Sequence, residues 1–168
     1  MELFKKKMNK MHLTGIVAIV LLAAVAVYWA PGTNNGSQTG GSIEFSKAVG
    51  MNAPDFTLQS LEGNAIKLSD YKGKAVILFF NEGAMCYPGC WNQISALSGD
   101  ERLNNDKVVS FSIVADSKST WDDITKKSPQ MRGAKMLFDT KRTVSTAYDV
   151  LSLESSMHPG SFPGHTYV

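Results

Sequence analysis

Two stretches of this chain, Ala75-Val76-Ile77-Leu78-Phe79-Phe80 and residues 108–115, are continuous apolar or small-residue runs without a charge until the second reaches Asp116. Short runs of this kind, bounded by turn residues, read as strands covered on both faces. A strand covered on both faces needs a layer on each side, and a chain supplies those layers by interleaving helices with strands. The intervening segments have that character. Trp91, Ile94 and Leu97 recur every three residues, which predicts a helix over 88–98. Ser119 reads as the N-cap of a short helix carrying Trp121 and Ile124, stopped before Pro129. Met136-Leu137-Phe138 reads as a short strand, residues 143–150 as a helix with Val144, Ala147 and Tyr148 on one face, and residues 165–168 as the start of a last strand. Ahead of these, Asp55-Phe56-Thr57-Leu58 and Ala65-Ile66-Lys67-Leu68 alternate around Gly63-Asn64, the pattern of a hairpin. The expected fold class is α/β with a largely parallel central sheet, in which chemistry sits beyond the carboxyl ends of the strands.

The N-terminus has a different organisation. Lys5, Lys6, Lys7 and Lys10 against Glu2 give residues 1–12 a charge of +3, so the rest of the chain, within a total of +2, carries −1. A nucleic-acid-binding domain would show a basic face across its body, and this charge distribution argues against nucleic acid as a partner. Residues 13–30 follow without a single charge. As a helix rising 1.5 Å per residue they would span about 27 Å, close to the hydrocarbon thickness of a bilayer. Tyr28 and Trp29 close the run where interfacial aromatics belong, and the preceding lysines predict a cytoplasmic N-terminus with the remainder outside. A cleaved signal peptide is the rival. The run is longer than a usual signal core, and Tyr28 and Trp29 stand where small residues would be wanted, so a retained anchor is the expectation. A buried core helix fits poorly, and no Cys follows closely enough for a lipid anchor. Residues 31–42 (PGTNNGSQTGGS) read as a flexible linker, and residues 43–168 as the folded domain. The expected location is the cell membrane, single-pass, with the domain extracytoplasmic.

Composition restricts the chemistry. With 43% hydrophobic and 19% charged residues, the 168-residue chain is ordinary for one globular domain. Its 2 Cys are too few for a disulfide-built scaffold. Both lie in the loop after the first apolar strand, Asn81-Glu82-Gly83-Ala84-Met85-Cys86-Tyr87-Pro88-Gly89-Cys90-Trp91. Pro88 is placed to be the first residue of the helix, with Cys90 in its first turn and Cys86 just outside. Unpaired N–H groups and the positive end of the helix dipole stabilise an anion there, which lowers a thiol's pKa. Two residues four apart at a helix start can also reach disulfide distance. An inert structural disulfide is the bland alternative, but closing so short a loop contributes little chain entropy. Two buried free thiols would sit oddly in a loop rich in Gly and Pro. The spacing favours reversible redox chemistry, with Cys90 attacking and Cys86 resolving on the dipole argument.

The order Ala53-Pro54-Asp55-Phe56-Thr57-Leu58, then Leu68-Ser69-Asp70-Tyr71-Lys72-Gly73-Lys74, then the strand and Cys loop, resembles the peroxiredoxin (AhpC/TSA) branch of the thioredoxin superfamily. Ser112-Ile113-Val114-Ala115-Asp116-Ser117, Phe138-Asp139 with Ala147-Tyr148-Asp149-Val150, and Pro163-Gly164-His165-Thr166-Tyr167-Val168 continue the likeness across residues 49–168. The resemblance implies a thioredoxin-like fold, a central mixed sheet flanked by helices, after the N-terminal transmembrane helix. It implies a thiol-dependent oxidoreductase with Cys90 and Cys86 as catalytic residues and Tyr87, Pro88, Trp91 and Pro163 in support. It implies no cofactor beyond the redox-active disulfide, a thioredoxin-like reducing thiol partner, and a peroxide or protein-disulfide substrate. The family's Pro-x-x-x-Thr-x-x-Cys loop, aligned on Pro88-Gly89-Cys90, places Tyr87 at the Thr and Gly83 at the Pro, and Phe162, Pro163 or His165 stands where its Arg is expected. Those replacements remove the groups that orient and polarise peroxide, and leave thiol–disulfide exchange untouched. The superfamily also runs on past this last strand, so a C-terminally truncated sequence is expected.

The spacing Cys-x-x-x-Cys also resembles that of membrane-anchored Sco copper chaperones, which are thioredoxin-folded. That likeness implies a copper site built from Cys86, Cys90 and a distal imidazole, His158 or His165. Two thiolates and an imidazole suit copper, which favours soft ligands. A zinc site from the same four residues matches no common structural zinc spacing.

Overall fold

The computed structural model describes residues 41–168. The expectations for residues 1–12, the 13–30 span and most of the 31–42 linker lie outside the described residues. Among the described residues, no helix is long and apolar enough to cross a membrane.

The two apolar runs lie side by side. Strand β3 (Ala75–Phe80) pairs in parallel with β4 (Val108–Val114), from Ala75 opposite Val108 to Phe80 opposite Ile113. β4 pairs in parallel with β5 (Met136–Phe138). The other three pairings are antiparallel: β1 (Thr57–Ser60) with β2 (Ala65–Lys67), β1 with β5, and β6 (Thr166–Tyr167) with β3. The sheet order is β2-β1-β5-β4-β3-β6. The sheet is therefore mixed, as the family resemblance implied, and not largely parallel as strand–helix alternation by itself suggested. Helical crossovers make only the β3–β4–β5 centre parallel. The hairpin docks antiparallel on one side and the returning chain on the other.

Alternation along the central strands gives the sheet two cores. Leu78, Phe80, Val109, Phe111, Ile113 and Leu137 face one side, where they meet Phe56, Val144 and Tyr148. Phe79, Val114, Met136 and Phe138 face the other, where they meet Cys90, Ile94, Leu97 and Trp121. Helix α1 (Gly89–Gly99) and helix α2 (Lys118–Lys127) cover that second side, so the Cys-bearing helix is docked by its own apolar stripe. Ser110, small and buried, donates its hydroxyl to the Leu97 carbonyl at 3.2 Å, letting α1 approach β4 closely.

Local boundaries differ from the sequence expectations in ways that have physical causes. The first hairpin strand lies at 57–60 rather than 55–58. Its turn takes in Leu61 and Glu62 as well as Gly63-Asn64, with Gly63 at φ +91° and its N–H donating to Ser60 O at 3.0 Å. Ser117, not Ser119, caps α2, accepting from the Thr120 N–H at 3.3 Å. The helix expected over 143–150 is α3 (Thr143–Ala147), because Asp149 turns left-handed (φ +54°) directly after Tyr148. Asp139 starts α3 by accepting from the Val144 and Ser145 N–H groups at 3.2 and 2.7 Å.

Tyr148 is fully buried and donates its hydroxyl to the Pro54 carbonyl at 2.9 Å, which ties α3 to the chain entering β1. Burial holds its pKa above the ordinary phenol range, so it stays a donor. Tyr148→Phe leaves that carbonyl unpaired and is expected to lower stability by about 1–2 kcal/mol. The change should read as a lower urea midpoint at unchanged slope, and an unmoved midpoint would contradict the assignment.

Candidate redox site

Strand β3 delivers the chain to the site, and two side chains, buried Asn81 and half-buried Asp116, turn it. Asn81 continues the ladder, its N–H donating to Ile113 O at 3.2 Å, and its side-chain oxygen accepts from the Gly83 N–H at 2.9 Å. Asp116, at the end of β4, accepts from the Ala84 N–H at 2.8 Å and from the Trp121 indole at 2.9 Å on the same oxygen. Gly83 stands at φ +66°, and a Cβ there would overlap the Asp116 carboxylate, so only glycine fits beneath this turn.

The next residues reach Cys86, which is joined to Cys90 by a disulfide with the Cα atoms 5.4 Å apart. Cys90 is the second residue of α1, as the spacing predicted, and Pro88 is the residue before the helix rather than its first member. The Cys90 N–H is not free for an anion; it donates to Cys86 O at 3.0 Å. Burial separates the two sulfurs. Cys90 is 4% exposed within the helix-side core, whereas Cys86 is half-buried at its margin. Tyr87 is 70% exposed and meets Trp91 edge-on at 5.0 Å, and Trp91 packs on Trp121 at 5.7 Å. Of the expected supporting residues, Tyr87 and Trp91 thus form an aromatic wall beside the disulfide, and Pro88 lies exposed at the helix start.

The two candidate histidines part company. One ring nitrogen of His165 and both sulfurs lie within 4.8 Å of one another. Its Nε2 is buried without a hydrogen-bond partner. Pro163 and Gly164, both buried, lead the chain into this position. A Cβ on Gly164 would overlap Ser155 and Leu153, so glycine permits the close pass. His158 does not join the sulfurs in that group. It is half-exposed, with Nδ1 3.4 Å from the Glu82 carboxylate.

Sequence reasoning passed over Glu82. Its side chain is fully buried, and Oε1 accepts from Ser156 Oγ at 2.7 Å, the Met157 N–H at 2.7 Å and the His158 N–H at 3.0 Å. Desolvation, the largest single influence, pushes its pKa up. The hydrogen bonds from Ser156, His158 and Met157 together outweigh it, and the carboxyl titrates below its ordinary value. A carboxylate in an otherwise unremarkable loop carries no pattern of its own, and only the return of residues 156–158 gives it partners. Because the folded pKa is depressed, its contribution to stability is present above the ordinary carboxyl range, about 4.3, and is lost as the pH falls through the folded value. Stability of the Glu82→Gln variant is therefore expected to depend less on pH than that of the wild type between about pH 6 and pH 3, with the two curves converging at the acid end. Parallel denaturation curves across that range would contradict the assignment.

Comparison with protein families matches residues 49–163 to the AhpC/TSA family. The thiol-disulfide oxidoreductase ResA of Geobacillus kaustophilus is 38% identical over 85 residues, which are 49% of this chain and 43% of that protein. The peroxiredoxin Bcp of Bacillus subtilis is 48% identical over 42 residues, 25% of this chain and 26% of that one. The chain thus spans less than half the length of these curated relatives. Among solved structures, the exposed lipoprotein thioredoxin Etrx1 of Streptococcus pneumoniae superposes with a TM-score of 0.50 at 25% identity, over 58% of this chain and 75% of that one. The mitochondrial 2-Cys peroxiredoxin of Plasmodium falciparum superposes with a TM-score of 0.53 at 20% identity, over 67% and 70%, a likeness of fold.

Proposed function

This chain belongs to the AhpC/TSA family, and from that premise we propose that it is a membrane-tethered, extracytoplasmic thiol–disulfide oxidoreductase of peroxiredoxin-like type that works through Cys86 and Cys90. One observation carries the reading: a disulfide at the carboxyl end of a central strand, with one sulfur half-buried at the margin and the other buried in the first turn of a helix. The relatives named as a thiol-disulfide oxidoreductase and as a peroxiredoxin support the same chemistry. The lysines before the 13–30 run and the polar stretch after it support the tether and the outward placement of the domain.

The exchange runs in two displacements. A thiolate of a reducing partner meets Cys86, the more accessible sulfur, and forms a mixed disulfide while the Cys86–Cys90 bond breaks and Cys90 leaves as a thiolate. The partner's second thiolate then attacks its own mixed-disulfide sulfur and releases Cys86. Two electrons have passed to the pair, and the partner has become a disulfide. Run in reverse, the reduced pair delivers those electrons to a protein disulfide. Toward a peroxide, a thiolate of the pair attacks one oxygen and becomes a sulfenic acid as the second oxygen leaves as alcohol or water. The other thiolate then displaces water and restores the disulfide. For exchange with a large partner, the difference in burial supports the opposite order to the one drawn from the helix dipole. Cys86 makes the mixed disulfide and Cys90 resolves it, because a protein thiol reaches the half-buried residue ahead of the buried one.

The test pairs a protein-disulfide reduction assay with peroxide consumption on the purified chain. Cys86→Ser and Cys90→Ser are each expected to lower turnover by at least about a hundredfold, since neither displacement closes without both sulfurs. Limiting alkylation of the reduced protein is expected to label Cys86 ahead of Cys90. Undiminished turnover in either variant would overturn the reading.

A second reading has its own observation, the gathering of both sulfurs and His165 within 4.8 Å with an unpartnered imidazole nitrogen. After reduction, Cys86, Cys90 and His165 would make a soft three-ligand set suited to cuprous copper as bound cargo, and His158 falls outside it. Titration of the reduced protein with cuprous ion in the presence of a competing chelator separates the readings. Tight one-to-one binding lost in His165→Ala favours copper carriage, and binding no tighter than that of Cys90→Ser rejects it.

A further inference from the structure

Glu82 is the one carboxylate of the Cys loop, and the exchange chemistry does not use it. No Lys or Arg among the described residues pairs with it; its nearest ionisable neighbour is His158. A buried carboxylate without a cation is retained only where hydrogen bonds replace its water, and here all three close donors come from one short segment, Ser156 to His158, 74 to 76 residues away in sequence.

That segment belongs to a long irregular stretch between α3 and β6. Among the described residues, every hydrogen bond between it and the Cys loop (residues 81–88) ends on the Glu82 carboxylate. The rest of the stretch is fastened elsewhere: Gly160 N–H to Leu151 O at 2.7 Å, Gly164 N–H to Val150 O at 2.8 Å, and the Arg142 guanidinium to Ser161 O. On one side of Glu82 the chain runs four residues to Cys86. On the other, the clamped segment runs seven residues from His158 to His165, whose ring lies beside both sulfurs.

We propose that Glu82 is a positioning residue of the redox site: its carboxylate clamps Ser156–His158 to the Cys loop and so holds the His165 imidazole beside Cys86 and Cys90. The proposal rests on the reading of Cys86–Cys90 as the reactive pair. In the disulfide form the His165 Nε2 has no partner. Reduction replaces a sulfur–sulfur bond by two thiol groups that can exchange a hydrogen bond with that imidazole. The clamp therefore favours the reduced form of the pair, and loosening it withdraws that support.

Two quantities read this directly on the full chain: the equilibrium constant of the pair against a glutathione buffer, and the change in the His165 ring proton resonance on reduction. Glu82→Ala is expected to lower the equilibrium constant for reduction about tenfold, which for a two-electron couple is about 30 mV, and to abolish most of the His165 change. Glu82→Asp keeps the charge but withdraws the oxygen from its three donors, and is expected to behave like Glu82→Ala. Glu82→Gln keeps an acceptor oxygen in place and is expected to retain the His165 change. In a His165→Ala background, Glu82→Ala should shift the equilibrium no further, because its effect passes through the imidazole. If Glu82→Ala and Glu82→Asp do not fold, Ser156→Ala removes one donor and carries the same expectation as a smaller shift. An unchanged equilibrium constant and His165 signal, or an equal shift with and without His165, overturns the proposal. Failure of the oxidoreductase reading looks different: Cys90→Ser would retain turnover whatever Glu82 does.

Discussion

The pairing of β3 with β4 over six residues, from Ala75 to Phe80, is the constraint on which the site depends. It ends with Phe80 opposite Ile113, and Asn81 and Asp116 follow within three residues of that last pair. Those two side chains fold Gly83 and Ala84 into the turn that aims Cys86 at the start of α1. The same pairing places Phe79 and Val114 on the face where α1 and α2 dock, so the helix carrying Cys90 is held by its core contacts. Without the pairing, neither the turn nor the helix start would have a fixed place, and the two sulfurs would have no fixed distance.

The site divides its work by burial. Cys90 and Trp121 belong to the packed interior, where side chains have little freedom to move, and half-buried Asp116 accepts from the Trp121 indole at its edge. Cys86 is half-buried at its margin, and Tyr87 is exposed. This asymmetry separates an accessible sulfur from a protected one more sharply than the helix dipole does, since the Cys90 N–H is already spent on the Cys86 carbonyl. Tyr87 contributes its ring to the aromatic wall beside Trp91.

Much of the fold was legible from pattern. The apolar runs at 75–80 and 108–115 and the three-residue recurrence of Trp91, Ile94 and Leu97 all mark elements that exist, because burial on two faces or on one stripe leaves a periodic trace. The direction of the outer strands was not legible. β1 runs antiparallel to β5 and β6 antiparallel to β3, through long connections whose path no local pattern encodes. The end of the last α-helix was missed for a related reason: Asp149 adopts a left-handed backbone that its residue type permits but does not demand.

By itself the sequence determined that the two cysteines share a loop at the carboxyl end of a buried strand, that Cys90 begins a helix, and that a pair four residues apart can bond. These follow from local spacing, which survives in any chain read in order. Only the tertiary structure decided which histidine meets the sulfurs, which cysteine is the more deeply buried, and that Glu82 joins the two loops of the site. His158 and His165 are equivalent on paper. They part because Gly164 lets the chain pass close over Leu153, while Glu82 takes His158 to itself. Those relations depend on contacts across more than seventy residues, and no local periodicity carries information over that distance.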